Sequence, residues 1–328
     1  MPVQNRSMKA AIRIKYGGPE VLTVQEVPVP VPKESEMLIR VHAATVNRTD
    51  CGALWGKPFI FRFFVGFPKP RHQSTGTDFA GVVEAVGSKV TKYKTGDRVF
   101  GFDDNNLGTH AQYVTIPEKS PITIIPEHIS FETAAASAEG GHYAYNYIRK
   151  SGMKKGDTVM VYGATGAIGS AAVQLLKSMD IHITAVCNSK NVETVKSLGA
   201  DKVIDNETEE FTAGGEQYNY ILDAVGKSSW AVCKKLLKPG GKYMSSELGP
   251  GNENLYLPFI TRFSKSKKRL LFPLPTDIKA TLNFLQPLLA EGKFRPLIDR
   301  TYPLDEIADA FRYVNSGQKT GNVLLRMK

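Results

Sequence analysis

Apolar and polar residues alternate in short runs along the first 125 residues of the chain. Examples are MKAAIRIKYGG from residue 8, MLIRVHAATVN from residue 37 and DFAGVVEAVG from residue 78. Val, Ile and Thr are frequent in these runs, and Gly or Pro separates them, as in strands joined by turns. The pattern predicts a compact β-rich domain over residues 1–126.

The periodicity changes after Pro126. FETAAASAEGGHYAYNYIRKSG, from residue 131, predicts a helix that ends at Gly152. Apolar strands then alternate with helical stretches, the last pair being the predicted helix SSWAVCKKLLKPG and the strand GKYMSSE. Because such alternation implies right-handed βαβ units, we expect a parallel sheet in residues 127–292. Strand-like character returns near residue 293.

A glycine-rich loop lies between the first strand and helix of this alternating region. It reads VMVYGATGAIGSAAVQLL, with Gly163, Gly166 and Gly169 three residues apart. Small residues let the chain turn tightly, let the backbone approach a pyrophosphate and let the helix pack closely on the strand. The βαβ context favours a dinucleotide site over a simple packing turn. Its predicted residues are Gly163, Ala164, Thr165, Gly166, Ala167, Ile168 and Gly169, with Ala224 and Val225 at the end of the strand YNYILDAV.

The end of the second strand indicates which dinucleotide binds. An NAD site usually has Asp or Glu there, about 20 residues after the glycines, to bind the ribose hydroxyls. This chain has AVCNSKN, with Cys187 at that position, so we expect no carboxylate to repel a 2′-phosphate. Asn188, Ser189 and Lys190 instead offer donors and a positive charge, which favours NADP(H). The alternative is that Lys190 is a solvated loop residue.

Composition narrows the functional class. The 42 basic and 32 acidic residues give a net charge of +10. The one tight basic cluster, residues 265–269, has no aromatic residues interleaved with its cations. Because such aromatics would be needed for base stacking, we do not expect a nucleic-acid partner. No apolar run spans a bilayer, and we expect no membrane partner. Three cysteines and an N-terminus without an apolar segment favour a cytoplasmic protein.

These motifs together resemble the medium-chain dehydrogenase/reductase superfamily, in its zinc-free quinone-oxidoreductase-like branch. The resemblance includes MKAAIRIKYGGPEVLTVQEVPVP, VNRTD, GTDFAGVVEAVGSKVTKYKTGDRVFGF, GATGAIGSAAVQLLK and TGNVLLRM. It implies an α/β protein. A GroES-like β-rich domain, residues 1–126 completed by residues 293–328, would accompany a Rossmann doubly wound parallel-sheet domain, residues 127–292.

The resemblance also indicates that the family's metal site is absent. Zinc members have a Cys where this chain has Asn47, a His where it has Thr77, and a further Cys or acid near Glu139. Asn and Thr are poor zinc ligands, and one carboxylate does not hold the ion alone. We therefore expect no metal, and a reaction that needs no Lewis acid to polarise an alcohol.

Several roles follow from position in the family. Arg48 would bind the pyrophosphate, and Thr49 lies where zinc members keep a hydroxyl that relays the substrate proton. Asn47, Thr49 and Tyr143 are the predicted catalytic residues; Tyr143 replaces a small residue beside the nicotinamide and would stack on substrate, donate a proton or only fill space. Asn206 replaces a common Tyr, which weakens the case for NADP(H). The loop WGKPFIFRFF, with Trp55, Phe59 and Phe61, would line an apolar acceptor pocket or belong to the core.

The predicted function is NADPH-dependent hydride transfer to a small electrophilic acceptor, a quinone or an α,β-unsaturated carbonyl. The alternatives are an alcohol or carbonyl dehydrogenase of the same superfamily and a non-catalytic NADPH- or nucleic-acid-binding protein. Because relatives commonly form dimers, we also expect a homodimer, with KKRLLF (267–272) as the edge strand that pairs across the two-fold axis.

Overall fold

The computed structural model describes residues 6–57, 59, 62–104, 107–245 and 247–327. The strands in this part of the chain are β1 (Ser7–Ile12), β2 (Thr23–Pro28), β3 (Glu36–Val46), β4 (Asp78–Val86), β5 (Arg98–Phe102), β6 (Tyr113–Pro117), β7 (Ile122–Ile124), β8 (Thr158–Tyr162), β9 (His182–Cys187), β10 (Lys202–Asp205), β11 (Tyr218–Asp223), β12 (Leu237–Ser245), β13 (Arg269–Leu271), β14 (Ile298–Pro303) and β15 (Asn322–Arg326). The helices are α1 (Arg48–Trp55), α2 (Arg62–Val65), α3 (Phe131–Ser151), α4 (Ala167–Lys177), α5 (Val192–Ser197), α6 (Trp230–Cys233), α7 (Glu253–Thr261), α8 (Ile278–Ala290) and α9 (Ile307–Asn315). Within these residues no helix is long and apolar enough to cross a membrane.

The chain divides into two compact units. The first comprises Met1–Glu139, Ile278–Ala290 and Leu297–Lys328, and the second comprises Gly140–Asp277 and Glu291–Pro296. The predicted domain limits differ from these units by the start of α3 and by α8. Both segments are bound within the first unit: Glu132 on α3 accepts from Arg326 at 3.2 Å, and Gln286 on α8 donates to the Ile124 carbonyl at 2.8 Å.

The first unit contains a mixed seven-stranded sheet. Its order is β14-β15-β3-β4-β5-β7, and β6 also pairs with β3. Strand β3 is central because it pairs antiparallel with β4, β6 and β15, and most of its residues are buried. Helix α9 buries Ile307, Phe311 and Val314, a helical spacing that turns one apolar stripe into the core. The GroES-like β domain is confirmed.

The second unit contains a six-stranded parallel sheet in the order β10-β9-β8-β11-β12-β13. Numbered from β8, this is the strand order 3-2-1-4-5-6 of dinucleotide-binding domains, with its reversal point between β8 and β11. The apolar runs of these strands are buried, including Val159, Val161, Ile183 and Ile221. The predicted Rossmann fold is confirmed.

One predicted helix of the second unit is wrong. SSWAVCKKLLKPG forms only the short helix α6 and a 3₁₀ turn, Lys234–Leu236, and β12 already begins at Leu237. Leu237 pairs with Tyr218 of β11, and a bulge precedes the next pair, Lys242 with Tyr220. Pairing with the neighbouring strand therefore overrides the helical pattern of the last residues.

Candidate functional site

The glycine loop makes a tight turn directly after β8. Gly163 has φ +80°, a conformation that favours glycine. The backbone N–H groups of Gly163 and Ala164 both donate to the Val186 carbonyl of β9, at 3.2 and 3.1 Å. A Cβ atom on Gly163 would lie 2.7 Å from Cγ1 of Val225. The turn therefore holds the ends of three neighbouring strands close together.

The other two glycines place the start of α4 against this turn. Gly166 precedes the helix, and no side chain caps the helix N-terminus. A Cβ atom on Gly169 would lie 2.1 Å from the Gly163 carbonyl oxygen, so only glycine fits there. The uncapped N–H groups and the helix dipole at this end favour an anion. Thr165, Ala167 and Ile168 lie in the same segment, and the site fits the pyrophosphate of a dinucleotide.

The ends of β8 and β11 meet at the reversal point of the sheet. The Ala224 N–H donates to the Tyr162 carbonyl at 3.0 Å, which fixes Ala224 beside the glycine turn. The buried Asp223 carboxylate holds the following loop, because it accepts from the N–H groups of Val225 and Gly226 at 3.2 and 2.8 Å. Ligands of doubly wound sheets bind at this place. The predicted residues Ala224 and Val225 thus lie with the glycine loop.

The loop after β9 differs from expectation in its electrostatics. Ser189 and Lys190 are exposed, and the Asn188 amide oxygen accepts from Asn191 at 2.5 Å. The Ser189 N–H donates to the Glu207 carboxylate at 3.2 Å, and a hydrogen bond from the Ser189 hydroxyl lowers the pKa of Asp205.

The expectation that this loop has no carboxylate is therefore wrong. β10 pairs in parallel with β9 and sets Asp205 opposite Cys187, a neighbour that is distant in sequence. Among the described residues Lys190 makes no ion pair, so its charge is not used by these acids.

In the first unit, Asn47 is buried in a polar network at the end of β3. Its side-chain amide donates to the Thr45 hydroxyl at 2.5 Å and to the Asp78 carboxylate at 3.1 Å. Thr45 also donates to Asp78 through its backbone N–H, at 2.7 Å, and through its hydroxyl. The Asn47 N–H donates to Asp50 at 2.9 Å as α1 begins. Asn47 therefore holds two acids in place, Asp78 through its side-chain amide and Asp50 through its backbone N–H.

Thr49 and Thr77 meet at the carboxyl group of Glu139. The Thr49 hydroxyl donates to one carboxyl oxygen at 2.7 Å, and the Thr77 hydroxyl donates to the other at 3.2 Å. Glu139 and Thr77 are buried, whereas Thr49 is half-buried. Burial, with the nearby Asp50 and Asp78, raises the pKa of Glu139 well above its ordinary value. This shift favours the neutral, proton-carrying form of the carboxyl group.

Two further buried acids lie in the same region. Burial raises the pKa of Asp50 to about 8 and that of Asp78 to about 6. In the described part of the chain no group of three or more His, Cys, Asp or Glu residues is arranged to hold a metal ion. The positions that carry Cys and His in zinc members, Asn47 and Thr77, are both engaged with carboxyl groups instead.

Lys319 is a functional candidate that the sequence did not indicate. Its ammonium group donates to the Gly321 carbonyl at 2.6 Å. Desolvation lowers its pKa to about 8, while the charges of Glu139 and Cys51 act to raise it and that of Arg48 to lower it. Lys319 and the exposed Arg48 are therefore two cations within electrostatic reach of each other and of Glu139. No motif around residue 319 marks it, because the chain returns here from a distant segment.

The remaining predicted residues lie elsewhere. Tyr143 is half-buried on α3 in the second unit, with its ring 5.7 Å from that of His142. Trp55 and Phe59 are 36% and 58% exposed, so the alternative that they belong to the core is wrong, and the acceptor-pocket role stays a prediction. Phe61 lies outside the described residues.

Comparison with known proteins agrees with this architecture. A family model described as "Alcohol dehydrogenase GroES-like domain" matches residues 33–127, and one described as "Zinc-binding dehydrogenase" matches residues 198–325. The "Quinone-oxidoreductase homolog, chloroplastic" of Spinacia oleracea is 31% identical over 321 residues, which are 94% of this chain and 95% of that protein. The "NADPH-dependent alkenal/one oxidoreductase, chloroplastic" of Arabidopsis thaliana is 30% identical over 332 residues, 98% of this chain and 80% of that protein.

Among solved structures, the quinone oxidoreductase from Coxiella burnetii has a TM-score of 0.86 and 27% identity, and the match covers 98% of this chain and all of that one. The sheet order, the glycine turn and these relatives agree. The chain belongs to the medium-chain dehydrogenase/reductase superfamily, in its quinone-oxidoreductase-like branch.

Proposed function

We propose that this protein is an oxidoreductase that uses NADPH to reduce quinones or α,β-unsaturated carbonyls without a metal ion. The observation that carries the proposal is the Glu139 carboxyl, which accepts from Thr49 and Thr77 at 2.7 and 3.2 Å. A metal-ligand position of the superfamily is thus occupied by a hydroxyl bound to a buried acid. Such a site is suited to handling a proton, and the relatives named for quinone and alkenal/one substrates support this class of acceptor.

The second unit would hold the cofactor. Gly163, Gly166 and Gly169 would bring the backbone and the α4 N-terminus to the pyrophosphate, as their geometry allows. We propose that Lys190 binds the 2′-phosphate of NADPH, since its charge is exposed and unpaired among the described residues. Asp205 and Glu207 oppose this preference, so selectivity over NADH would be moderate. One relative is named as NADPH-dependent.

When bound, the nicotinamide supplies the hydride. An enone that accepts hydride at its β-carbon becomes an enolate and needs one proton to complete the reduction. The Thr49 hydroxyl, which donates to Glu139 in this structure, would turn toward the enolate, pass its proton on and take the carboxyl proton of Glu139 in its place. Burial and the nearby Asp50 and Asp78 raise the pKa of Glu139, which favours the protonated form that a general acid needs. Lys319 lies within electrostatic reach and would stabilise the carboxylate that remains.

The roles of Asn47, Arg48 and Tyr143 are also proposals. Asn47 would position Asp78 rather than touch the substrate, because both of its described side-chain bonds stay within the network. Arg48, at the start of α1 and exposed, would bind a phosphate of the cofactor. Tyr143 would contact the nicotinamide or the acceptor from its half-buried position on α3.

The test is NADPH consumption by the purified protein with a panel of quinones, enals, enones and alcohols, repeated with NADH. We expect turnover of quinones and enones, with NADPH preferred. The same preparation is analysed for metal after dialysis against EDTA. Absence of turnover with every acceptor would overturn the proposal in favour of a binding protein. Alcohol oxidation accompanied by about one retained zinc per chain would overturn it in favour of an alcohol dehydrogenase.

We also propose a homodimer. β13 is the last strand in the order of the second unit's sheet and pairs with β12 on one side, so its other edge is available for a symmetric partner. Light scattering that gives a monomer mass at micromolar concentration would contradict this. We also propose a cytoplasmic location. The relatives from Spinacia oleracea and Arabidopsis thaliana carry "chloroplastic" in their names, which applies to those proteins only.

A further inference from the structure

Helix α7 in the second unit has its polar side chains on the inside. Asn254 and Thr261 are buried, at 1% and 6% exposure. The Asn254 amide donates to the Glu247 carbonyl at 2.6 Å, and the Thr261 hydroxyl accepts from the Leu270 N–H at 3.0 Å. These bonds tie the inner side of α7 to the loop before it and to β13. They fix which side of the helix faces out.

The outward face of α7 is apolar. It consists of five side chains that begin at Leu255 and continue at positions i+1, i+4, i+5 and i+8. This spacing places them on one side of a helix that continues into the next turn. Their exposed fractions are 48%, 49%, 75%, 61% and 84% for Leu255, Tyr256, Phe259, Ile260 and Phe263. A surface helix normally has the opposite arrangement, with its apolar stripe toward the core. A contiguous exposed apolar patch of this kind marks an interaction surface.

A basic segment follows the outward face directly. It comprises Arg262, Lys265, Lys267, Lys268 and Arg269, of which Lys268 is half-buried and the others are exposed. The last three belong to KKRLLF, the edge segment proposed for the dimer, so Arg262 and Lys265 are the cations that lie outside that segment. The sequence contains no Asp or Glu between Glu253 and Asp277, so no acid within this stretch offsets the five positive charges. The apolar face and the cations are therefore adjacent along the chain and give this segment an amphipathic, basic character.

We propose that the outward face of α7 and the basic segment dock this protein on an anionic lipid surface. Interfacial helices insert an apolar face to about 5–10 Å at the headgroup boundary, with Lys and Arg beside it. Clusters of basic residues next to such a helix bind anionic lipid headgroups. Nucleic acid would use the cations but would leave Leu255 and Ile260 without a role. The proposal is independent of the reductase activity, and it concerns attachment to a lipid surface, which needs no membrane-spanning helix.

The experiment is co-sedimentation of the full chain with phosphatidylcholine vesicles, with and without phosphatidylserine. The wild type should bind the vesicles that contain phosphatidylserine, and binding should fall as salt rises. Arg262→Gln with Lys265→Gln should weaken binding about 25-fold, at about fivefold per charge. Phe259→Ser with Phe263→Ser should weaken it about tenfold for each ring removed. The matched control, Lys150→Gln with Lys154→Gln, removes two exposed lysines elsewhere in the second unit and should bind as the wild type.

Three results would overturn the proposal. The first is a wild-type protein that stays in the supernatant with phosphatidylserine vesicles at low salt. The second is equal binding by the control and by both variant pairs, given matching thermal melts that show every variant folded. The third is a wild-type protein that self-associates in light scattering but binds no vesicles, together with a Phe259 and Phe263 variant that alone loses the self-association. A second copy of the chain would then be what covers the apolar face. Vesicle binding is measured without cofactor or acceptor, so its failure is distinct from a failure of the reductase assay.

Discussion

Replacing Glu139 by Gln removes the proposed proton source with little change in shape. In the wild type both carboxyl oxygens accept threonine hydroxyls, Thr49 at 2.7 Å and Thr77 at 3.2 Å. Gln keeps one acceptor oxygen, which serves Thr49, and presents an NH₂ group to Thr77. The Thr77 hydroxyl can turn and accept from that group, because a hydroxyl both donates and accepts. The variant should therefore keep the network but hold no transferable proton.

The structure sets the expected magnitudes. Burial and the neighbouring Asp50 and Asp78 raise the pKa of Glu139, which favours its neutral form. For a neutral carboxyl the exchange replaces one neutral group by another, and the free energy of unfolding should change by about 1 kcal/mol or less. Had the carboxyl been ionised, removing a charge from beside Asp50 and Asp78 would stabilise the fold by several kcal/mol. Loss of a positioned general acid lowers the rate by roughly 10²–10⁴-fold.

The choice of acceptor makes the assay specific. A reduced quinone takes its proton on oxygen, which exchanges rapidly with water, whereas an enolate must be protonated on carbon. We therefore expect kcat for an enone to fall by roughly 10²–10⁴-fold in Glu139→Gln, while kcat for a quinone falls much less and the Kd for NADPH is unchanged. Thr49→Val should reproduce the enone defect. Glu132→Gln, on the same helix but in an ion pair with Arg326, is the matched control and should leave both rates unaltered.

Equal losses with enone and quinone would refute the role of Glu139 as a proton donor. They would indicate that the variant disturbs binding or hydride transfer in general. An unchanged enone rate would refute it as well, since the proton would then come from solvent or another residue. A change in Kd for NADPH comparable to the change in kcat would indicate a structural effect of the substitution.

Three further outcomes are expected. Lys190→Ala should weaken NADPH by about ten- to a hundredfold and NADH little, because a charge-assisted hydrogen bond contributes roughly 1.5–3 kcal/mol; an unchanged ratio of the two Kd values would contradict it. Gly169→Ala should cost about 3 kcal/mol or more in thermal unfolding, since its Cβ would meet the Gly163 oxygen at 2.1 Å, whereas in Gly166→Ala that distance is 3.8 Å and the fold should tolerate it. Burial raises the pKa of Asp78 from 3.8 to about 6, so its contribution to stability is present below about pH 4 and lost as pH rises through about 6. In Asp78→Asn the free energy of unfolding, measured with denaturant, should vary less with pH over that window, by up to about 3 kcal/mol. An equal slope of this free energy against pH in both proteins would refute the assignment.

The cofactor loop was predictable because its physics is local. Three glycines between an apolar strand and a helix predict the turn, the close approach of the helix to the strand and the start of the helix, all within seven residues. The structure shows these features. The strand order of the second unit follows from alternation and handedness in the same way. The loop after β9 was predicted less well. The acids beside Ser189, Asp205 and Glu207, lie at and just after the end of β10, which is adjacent to β9 in the sheet but separated from it in sequence by a helix.

The acid site was only partly predictable. Thr49, Thr77 and Glu139 were named from family positions, but their meeting at one carboxyl depends on three distant segments. Lys319 carries no motif at all. The exposed face of α7 could not be predicted from the sequence either, because NLYLPFITRF has apolar residues on several sides of a helix. Which side faces out is decided by the hydrogen bonds of Asn254 and Thr261, and these exist only in the folded chain.

The electrostatics of the acid site suit the proton transfer that we propose. Here burial raises the pKa values of Asp50, Asp78 and Glu139, and repulsion from neighbouring acids adds to the shifts of Asp50 and Glu139. Arg13 acts on Asp50, and Lys319 and Arg48 lie near Glu139, yet the pKa values of all three acids stay raised. The raised pKa values therefore favour a cluster that holds protons, and we propose Thr49 as the half-buried hydroxyl through which one of these protons would reach an acceptor.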